Sequence, residues 1–477
     1  MATETQNSPD QSESIYRPLN ASKREIRVLW LLPPPTPNKP SKRPKKDRFA
    51  ARKEEEKDPI QVELTTVSLL DQPAYTAISY CWGSPDANRY RIFVNGQPLE
   101  VRVNLYDCLV WLRRKGIGTK KTTACPTPDS SDSEMHVRRM QGIPLWIDMI
   151  CINQENLAER NSQVLLMGDL FRNATAVVSW IWGDERYDKT GKSVLADCVR
   201  GLRLVGEIGR QWMQGLPADV EAGKKDQEAR TARDDASDFK ALAKVTECLR
   251  RVGESTGQIW EVKTIFKWLS TLFNSQYWRR TWIVQERILA GPGSHFFMCG
   301  EVIISKMEFN AFGECLRDLL RADIHAWQVW EELRRCPVPG ISESLWLSLR
   351  ISARNELIFS GFLDELQCGR IAPGWWFALL VGSRCWCTDP RDAVYGLLQL
   401  IPNNQSIIPD YTRPVRDVYI DWALAAISER CDLQLLLYAG TGRAERWPPV
   451  FPGTTKTDLG LPSWGVSLLT PDGAQQS

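Results

Sequence analysis

The chain is poor in histidine, has almost no net charge and contains no long apolar run, and each of these absences argues against a common class of protein. It contains three histidines among 477 residues, which leaves little material for a histidine metal site or for histidine-based catalysis. Its 60 basic and 58 acidic residues nearly balance, so the overall charge gives no reason to expect nucleic acid as a partner. No apolar run reaches the length of a transmembrane helix, so we expect no membrane span.

The cysteines lack the paired spacing of a disulfide framework. Thirteen of them are scattered along the chain, and an odd count argues against complete pairing. The polar amino-terminal stretch has no apolar segment typical of a secretory signal. These absences predict a cytoplasmic protein with reduced cysteines, with the nucleus as the alternative compartment. No cofactor motif and no metal-ligand cluster is evident.

The most informative run of the chain, residues 144–185, predicts a strand, a polar turn, an amphipathic helix and a second strand. Residues 145–152 are apolar apart from Asp148, a pattern typical of a strand buried on both faces of a parallel sheet. Residues 176–182 form a second apolar segment rich in strand-forming residues. A strand, a crossover helix and a second strand are the parts of a βαβ unit.

The helix between these strands is predicted from a polar turn and from apolar residues at helical spacing. Asn153 is the predicted N-cap, because its short side chain accepts a hydrogen bond from an unpaired amide. Glu159 and Arg160 begin the predicted polar face. The predicted apolar face comprises Leu157, Val164, Met167 and Phe171.

Asp148 lies inside an apolar segment, where a carboxylate is costly to desolvate without a partner. We expect it to accept hydrogen bonds from Arg160 or from backbone amides, and so to fix the turn that carries Asn153 and Gln154. This polar turn follows the end of the predicted strand, where open α/β sheets place their binding sites. The role of Asp148 is either architectural or functional, and the sequence leaves both open.

Residues 75–183 resemble the signature of the fungal heterokaryon incompatibility domain, the HET domain. That signature begins with a tyrosine-led strand that ends in tryptophan and glycine, and continues through a strand, a helix and a second strand. The length and order of the match make the resemblance specific. The matching residues are Tyr75, Ser79, Tyr80, Trp82, Gly83, Leu145, Trp146, Ile147, Asp148, Cys151, Ile152, Asn153, Gln154, Glu159, Arg160, Gln163, Val164, Met167, Trp180 and Gly183.

Two later segments, residues 276–300 and 388–397, also resemble recurrent blocks of HET proteins. In the first, paired tryptophans and arginines precede a glutamine–glutamate pair, and we expect Glu286 to pair with Arg279 or Arg280 across its helix. The candidate site residues in the two blocks are Trp282, Gln285, Glu286, Asp389, Arg391 and Asp392.

The resemblance implies non-self recognition, a form of innate immunity, that ends in programmed cell death when incompatible fungal strains fuse. It implies a signalling module whose activation is controlled by a protein partner, such as a NOD-like receptor or an allelic incompatibility protein. Oligomerisation is left open. An inactive, divergent member retained for protein binding is a further alternative.

An enzymatic alternative follows from the likeness that has been drawn between HET domains and TIR domains, some of which cleave NAD with a single glutamate. It implies an NAD+ glycohydrolase with NAD as substrate. A carboxylate beside the ribose would stabilise the oxocarbenium-like state as nicotinamide leaves. The analogy makes Glu185 and Glu159 the catalytic candidates. The alternative roles are a solvated loop residue for Glu185 and an ion-pair or helix-start contact for Glu159.

The predicted fold class is α/β, a partly parallel sheet with flanking helices, TIR-like or flavodoxin-like, followed by an α-rich region. We predict a disordered leader at 1–22, a HET-like α/β domain at 23–185 with insertions at 33–58 and 116–142, a helical continuation at 186–430, and a C-terminal tail at 431–477 as a candidate truncation. Further strands are predicted at 25–32, 61–69 and 75–82, and helices at 104–115, 193–209, 239–252 and 260–273.

Overall fold

The computed structural model describes residues 15–33, 59–120, 132–182, 194–215, 244–255 without 246 and 249, 262–291, 293–321, 385–401 without 386, and 406–430. Its centre is a nine-stranded mixed sheet with the order β5-β4-β2-β1-β6-β3-β7-β8-β9. The strands are β1 (Glu25–Leu31), β2 (Gln61–Ser68), β3 (Thr76–Tyr80), β4 (Arg89–Val94), β5 (Gln97–Arg102), β6 (Leu145–Trp146), β7 (Ala176–Trp180), β8 (His295–Cys299) and β9 (Val302–Ser305).

The middle of the sheet is parallel, as the predicted α/β class requires. Strands β6, β3, β7 and β8 run in one direction, with Thr76 opposite Ala176 and Val177 opposite His295. Every residue of β3, β7 and β8 is buried, as expected of parallel strands covered on both faces. Antiparallel pairs flank this centre, among them β1 and β2, which correspond to the strands predicted at 25–32 and 61–69.

Helices cover both faces of the sheet. The helical segments predicted at 104–115, 193–209 and 260–273 are confirmed, but β8 and β9 lie within the region predicted to be helical and extend the same sheet. The described residues between 244 and 255 are also helical, and residues 239–243 of the helix predicted at 239–252 lie outside the described residues. The helices are α1 (Val103–Lys115), α2 (Asp132–Arg138), α3 (Asp148–Cys151), α4 (Leu157–Asn173), α5 (Val194–Gln214), α6 (Val262–Phe273), α7 (Thr281–Leu289), α8 (Lys306–Arg321), α9 (Asp392–Leu398) and α10 (Val415–Arg430).

Two hydrophobic clusters pack against the sheet. The larger contains residues of α1, α4, α7, α9 and α10, and the smaller contains residues of α5, α6, α8 and the described helical residues of 244–255. Successive residues of a strand point to opposite faces, so Phe296 belongs to the larger cluster and Phe297 to the smaller. In the smaller cluster a Cβ on Gly209 would lie 2.0 Å from the carbonyl oxygen of Glu308, so only glycine allows α5 to approach α8 this closely.

The strand predicted at 145–152 is wrong beyond Trp146. Strand β6 is two residues long, and the one-turn helix α3 replaces the rest of the predicted strand. The Cys151 amide donates to the carbonyl oxygen of Ile147 at 2.8 Å, and the Ile152 amide donates to that of Asp148 at 3.1 Å. An aspartate in the first turn of a helix is stabilised by the helix dipole, which explains why the chain turns at Asp148.

The start and the orientation of the crossover helix also differ from the prediction. The N-cap of α4 is Asn156, whose Oδ1 accepts from the Glu159 amide at 3.1 Å, whereas Asn153 Oδ1 accepts from the Glu155 amide in the preceding turn. Leu157 is 44% exposed although it was predicted to face the core. Residues two apart on a helix point roughly 200° apart, so the burial of Glu159 directs Leu157 to solvent.

Two segments predicted to lack structure carry defined contacts. Within the predicted leader, Asn20 Oδ1 accepts from the amides of Ser22 and Lys23 and caps a short 3-10 turn. Within the predicted insertion at 116–142 lie α2 and a bridge between Ile117 and Gln141. Among the described residues, no helix combines the length and the apolar character needed to cross a membrane. The predicted tail at 431–477 lies outside the described residues.

Candidate functional site

Three side chains from separate segments meet where the parallel strands β3 and β6 end. Trp82 follows β3, Asp148 begins α3, and Arg280 precedes α7. The indole Nε1 of Trp82 donates to Asp148 Oδ2 at 2.8 Å, and Arg280 Nη2 lies 3.5 Å from the same oxygen. The Arg280 guanidinium also lies 5.6 Å from the centre of the Trp82 ring. We call Trp82, Asp148 and Arg280 the carboxyl-end cluster.

The carboxyl-end cluster is charged and partly open to solvent. The side chains of Asp148 and Arg280 are 15% and 18% exposed, and their ion pair is longer than a hydrogen bond. Burial opposes the charge of Arg280, but the carboxylates of Asp148 and Glu286 outweigh it and raise the pKa of the guanidinium. Arg280 therefore stays cationic, and its Nη1 donates to the Tyr80 carbonyl oxygen at the end of β3.

The backbone around the cluster is fixed by polar contacts. Asp148 was predicted to accept hydrogen bonds from Arg160 or from backbone amides. Its Oδ1 accepts from the Met149 amide at 2.7 Å, whereas Arg160 is not a partner. Gln154 Nε2 donates to the Asp148 carbonyl oxygen at 3.0 Å, as expected of a turn organised around Asp148. Gly83 has a φ of +80°, a conformation that side chains disfavour, and its carbonyl oxygen accepts from Arg102.

A buried chain of hydrogen bonds crosses the sheet beneath the cluster. Ser79 of β3 donates to the Glu286 carboxylate of α7 and also contacts the Tyr277 hydroxyl at 3.0 Å. The Tyr277 hydroxyl donates to Ser179 of β7 at 2.5 Å, and Ser179 contacts His295 Nε2 of β8 at 2.7 Å. These five polar groups link three parallel strands inside the core.

Glu286 lies at the end of this chain that is nearest to the carboxyl-end cluster. Burial raises the pKa of its carboxyl group to about 7, although Arg280 and the bond from Ser79 oppose the shift. At the other end, burial and the charges of Lys306 and Arg287 lower the pKa of His295, so its imidazole is neutral. Glu286 therefore interacts electrostatically with Arg280, one of its two predicted partners. Its hydrogen bond comes from Ser79.

Glu159, one of the two catalytic candidates, is engaged in a buried ion pair. Its two carboxylate oxygens accept from Nη1 and Nη2 of Arg27 at 2.6 and 3.0 Å, and one of them also accepts from the Asn153 amide at 2.7 Å. The side chains of Arg27 and Glu159 are 3% and 8% exposed. The ion-pair and helix-start alternative for Glu159 matches these contacts.

Residues near the beginning of the described chain cover this pair. Arg27 Nη2 donates to the Arg17 carbonyl oxygen at 2.5 Å, and the Arg27 guanidinium lies 5.0 Å from the centre of the Tyr16 ring. Burial is the main cause that raises the pKa of Tyr16 to about 12. We call Arg27 and Glu159, which Tyr16 and Arg17 cover, the covered pair. The second catalytic candidate, Glu185, lies outside the described residues, as does Gly183.

Arg160 and the residues of the last matched block form a separate contact between α4 and the segment around α9. The Arg160 guanidinium stacks 3.6 Å from the centre of the Tyr411 ring and lies 3.6 Å from Asp389. Arg391 binds both oxygens of Asp389 at 2.8 Å. Tyr411 donates to Asp392, whose pKa is raised to about 6, chiefly by burial. This block holds the later part of the chain against the crossover helix.

The remaining predicted residues lie in the core. Tyr80 and Trp146 are buried, and Trp146 packs edge-on against Phe171 at 5.8 Å. Gln163 Nε2 donates to the Glu25 carbonyl oxygen at 3.0 Å and joins α4 to β1. Trp282 is 8% exposed. Gln285 is fully buried, and its amide has no hydrogen-bond partner among the described residues.

Several residues that build these sites were not predicted from the sequence. Arg27 was visible as a lone charge within the apolar segment of β1, which is a signal for a buried partner. Tyr277, Ser179 and His295 carried no comparable signal, because serine and tyrosine are common in strands and short helices. No group of three or more histidine, cysteine, aspartate or glutamate side chains suited to a metal ion occurs among the described residues.

Comparison with known proteins shows what part of the chain is similar to them. Residues 75–286 match the family model described as heterokaryon incompatibility protein (HET). The chain is similar to heterokaryon incompatibility protein 6, OR allele, of Neurospora crassa, with 25% identity over 455 residues that cover 85% of this chain. The chain spans 55% of the length of that relative. No solved structure matches the chain.

Proposed function

Since residues 75–286 carry the HET-family region, we propose that this chain is a signalling module of heterokaryon incompatibility, in which non-self recognition triggers programmed cell death in a filamentous fungus. The observation that carries the proposal is the carboxyl-end cluster. Its residues come from three separate matched segments and meet at the open end of the parallel strands, where α/β sheets bind ligands. In this proposal the module acts in the cytoplasm, and a NOD-like receptor or an allelic incompatibility protein controls its activation.

The contacts of Glu159 and of Arg280 favour the version of this function in which the module binds a partner. Glu159, the described catalytic candidate, is saturated by Arg27 and the Asn153 amide, so its oxygens are occupied before any substrate arrives. In the carboxyl-end cluster the Arg280 cation is only loosely paired with Asp148, at 3.5 Å. A loosely paired, partly exposed cation is available to an acidic or polar group of a partner.

The test is inducible expression of the full chain in a filamentous ascomycete, with hyphal viability as the readout. Arg280→Leu removes the cation of the cluster, and Arg203→Leu is the matched control because Arg203 is 61% exposed and paired only with the exposed Glu301 in the described part of the chain. We expect death with the wild type and with Arg203→Leu, and survival with Arg280→Leu at equal protein level. Death with Arg280→Leu, or survival with the wild type even after fusion with incompatible strains, would contradict the proposal.

An NAD+ glycohydrolase that causes death by NAD depletion is the second candidate. It is supported by the placement of charged groups at the carboxyl ends of parallel strands, where α/β folds bind nucleotides. Asp148 is more exposed than Glu159, the catalytic candidate that lies within the described residues. Cellular NAD measured alongside viability separates the two candidates. NAD that falls before viability, and only with Asp148 intact, supports the enzyme, whereas death with constant NAD supports the binding module.

A further inference from the structure

The buried chain of hydrogen bonds between Glu286 and His295 consists of four contacts, and each contact can hold one hydrogen. The contacts join Glu286 to Ser79, Ser79 to Tyr277, Tyr277 to Ser179, and Ser179 to the Nε2 atom of His295. All five side chains are buried. A contact without a hydrogen would set two buried lone pairs against each other, so we expect all four contacts to be filled.

The hydrogens of these contacts can be arranged in two complete ways. Each of the three hydroxyl groups supplies one hydrogen, so the fourth must come from one end of the chain. If Glu286 is ionised, the fourth hydrogen comes from His295 Nε2, and every bond points towards the carboxylate. If Glu286 is protonated, its carboxyl group donates to Ser79, every bond points the other way, and His295 Nε2 accepts from Ser179.

The geometry contains one bond of each arrangement. Ser79 is placed to donate to Glu286, as in the ionised arrangement, and Tyr277 is placed to donate to Ser179, as in the protonated arrangement. These two bonds together leave no hydrogen for the contact of 3.0 Å between Ser79 and Tyr277. The spacing of the oxygen and nitrogen atoms therefore suits both arrangements, and a change between them needs movement of hydrogens alone.

The tautomer of His295 is set by the chain. In the part of the protein that the structure describes, its Nδ1 has no hydrogen-bond partner, whereas its Nε2 contacts Ser179 at 2.7 Å. The hydrogen bonds of the two ring nitrogens decide which of them carries the proton. Burial and the charges of Lys306 and Arg287 lower the pKa of His295, so the ring is neutral in both arrangements.

The charged groups around Glu286 leave both of its forms accessible. Burial favours the protonated form most strongly and Asp148 of α3 acts in the same direction, whereas Arg280 favours the ionised form. Asp392 of α9, which packs against α7, interacts with the Arg280 cation. The other cations on or beside α7 are Arg279 and Arg287. The charged residues of α4, which also packs against α7, all pair with partners outside α7: Glu159, Arg160, Asp169 and Arg172.

We propose that this chain is a two-state relay, in which protonation of Glu286 reverses every hydrogen bond and changes the tautomer of His295. In the ionised arrangement the four hydrogens are on His295 Nε2 and the three hydroxyl groups. When a proton from water reaches His295 Nδ1, one hydrogen passes along each contact, and the last one is transferred from Ser79 to Glu286. The protonated arrangement therefore contains one proton more, and the imidazole is neutral before and after.

The relay connects the carboxyl-end cluster with strand β8 across β3 and β7. Glu286 interacts with Arg280 of the cluster, and His295 lies at the start of β8. A change in the charge around Arg280 therefore reaches His295 through hydrogens, without a shift of the backbone. The relay needs no part of the proposed signalling function.

The test is the tautomer of His295 in the purified full chain, measured by NMR with ¹⁵N-labelled histidine. The chain has three histidines, and single replacements of His136 and His325 by glutamine assign the signals of His295. Because the pKa of Glu286 is about 7, we expect the proton on Nδ1 about two pH units below that value and on Nε2 about two units above it. The two ring nitrogens should thus exchange their chemical shifts.

One tautomer of His295 at both pH values, or an imidazolium ion at the lower one, would overturn the proposal. This comparison is made within the wild-type chain, so it does not depend on whether a variant folds.

Two phenylalanine variants separate the relay from the general effect of a lost hydroxyl group. Tyr277→Phe removes the middle of the relay, so Ser179 should donate to His295 Nε2 and keep the proton on Nδ1 at both pH values. Tyr75→Phe is the matched control, because the buried Tyr75 hydroxyl donates to the Leu170 carbonyl oxygen at 2.6 Å, outside the relay. Its His295 should change tautomer as in the wild type. A tautomer that still follows pH in Tyr277→Phe would also contradict the relay.

Discussion

The covered pair and the carboxyl-end cluster both contain an arginine and a carboxylate, but they are built differently. In the covered pair, Arg27 and Glu159 are almost fully buried and joined by two short hydrogen bonds. In the carboxyl-end cluster, Asp148 and Arg280 are more exposed and 3.5 Å apart, and each has other partners. The same chemical groups therefore make a closed contact in one place and an open contact in the other.

The difference indicates which matched residues hold the fold and which remain available. Two charges removed from water must satisfy each other almost completely, and Arg27 and Glu159 do so with the help of the Asn153 amide. A partly exposed pair costs less to desolvate and keeps hydrogen-bonding capacity for another molecule.

The largest effect is expected when the covered pair is broken. Glu159→Gln leaves the buried Arg27 cation without its carboxylate and should lower the free energy of unfolding by about 3–5 kcal/mol. Urea unfolding followed by tryptophan fluorescence measures it. The matched control is Glu63→Gln, because Glu63 pairs with Lys120 at 2.7 Å but both side chains are highly exposed. Glu63→Gln should lower the free energy of unfolding by less than about 1 kcal/mol. Equal losses in the two variants would contradict the structural role of Glu159.

A pH-dependent effect of about 3 kcal/mol is expected from Glu286. Its pKa rises from 4.5 in the unfolded chain to about 7 in the folded protein. A raised pKa favours the folded state while the group is protonated, so this stability is complete below the unfolded pKa and is lost as pH rises through the folded one. The free energy of unfolding should therefore fall between about pH 5 and pH 8, and Glu286→Gln should flatten this decline.

The control for this pH dependence is Asp392, a second carboxyl group whose pKa is raised chiefly by burial, from 3.8 to about 6. The contribution of Asp392 to the free energy of unfolding has the same sign as that of Glu286, but most of it is lost at a lower pH because its folded pKa is lower. Asp392→Asn should therefore keep the decline between about pH 6.5 and pH 8 that Glu286→Gln removes. Urea midpoints collected across the pH range distinguish the variants. A decline at high pH that survives Glu286→Gln would refute the assignment.

The smallest effect is expected within the open cluster. Trp82→Phe keeps a ring beside Arg280 but removes the indole donor to Asp148, which should cost about 1–2 kcal/mol in thermal or urea unfolding. Trp111→Phe, at a half-buried tryptophan of α1 outside the cluster, is the comparison. If Trp82→Phe destabilises the protein as much as Glu159→Gln, then the cluster is as structural as the covered pair.

Much of the fold follows from local patterns in the sequence. Strands β1, β2, β3 and β7 and helices α1, α4 and α5 lie close to their predicted positions, because hydrophobic periodicity decides each of them. The strand predicted at 145–152 is wrong beyond Trp146 because of the apolar composition on which the prediction was based. A short continuous apolar run is compatible with a buried strand and with a buried helical turn, and periodicity cannot separate the two.

The sites depend on distant residues and were only partly predictable. Glu159 was assigned to the polar face because its partner Arg27 lies 132 residues earlier in the chain. Trp82, Asp148 and Arg280 each belong to a matched segment, but only the parallel order of β6, β3 and β7 brings them together. The hydrogen-bonded chain from Glu286 to His295 similarly requires three strands to be neighbours, which no local pattern encodes.

Strand β5, the outer strand of the sheet in the described part of the chain, limits how two copies of this protein can meet. The two-residue turn Asn95–Gly96 has positive φ angles and places Val94 opposite Gln97, which leaves Pro98 in the next pair of the hairpin. A proline in that position presents no amide donor along the open side of the strand, and Glu100 adds a charge two residues later. Stacking of sheets edge to edge, the route by which exposed strands seed fibres, is therefore blocked on this side.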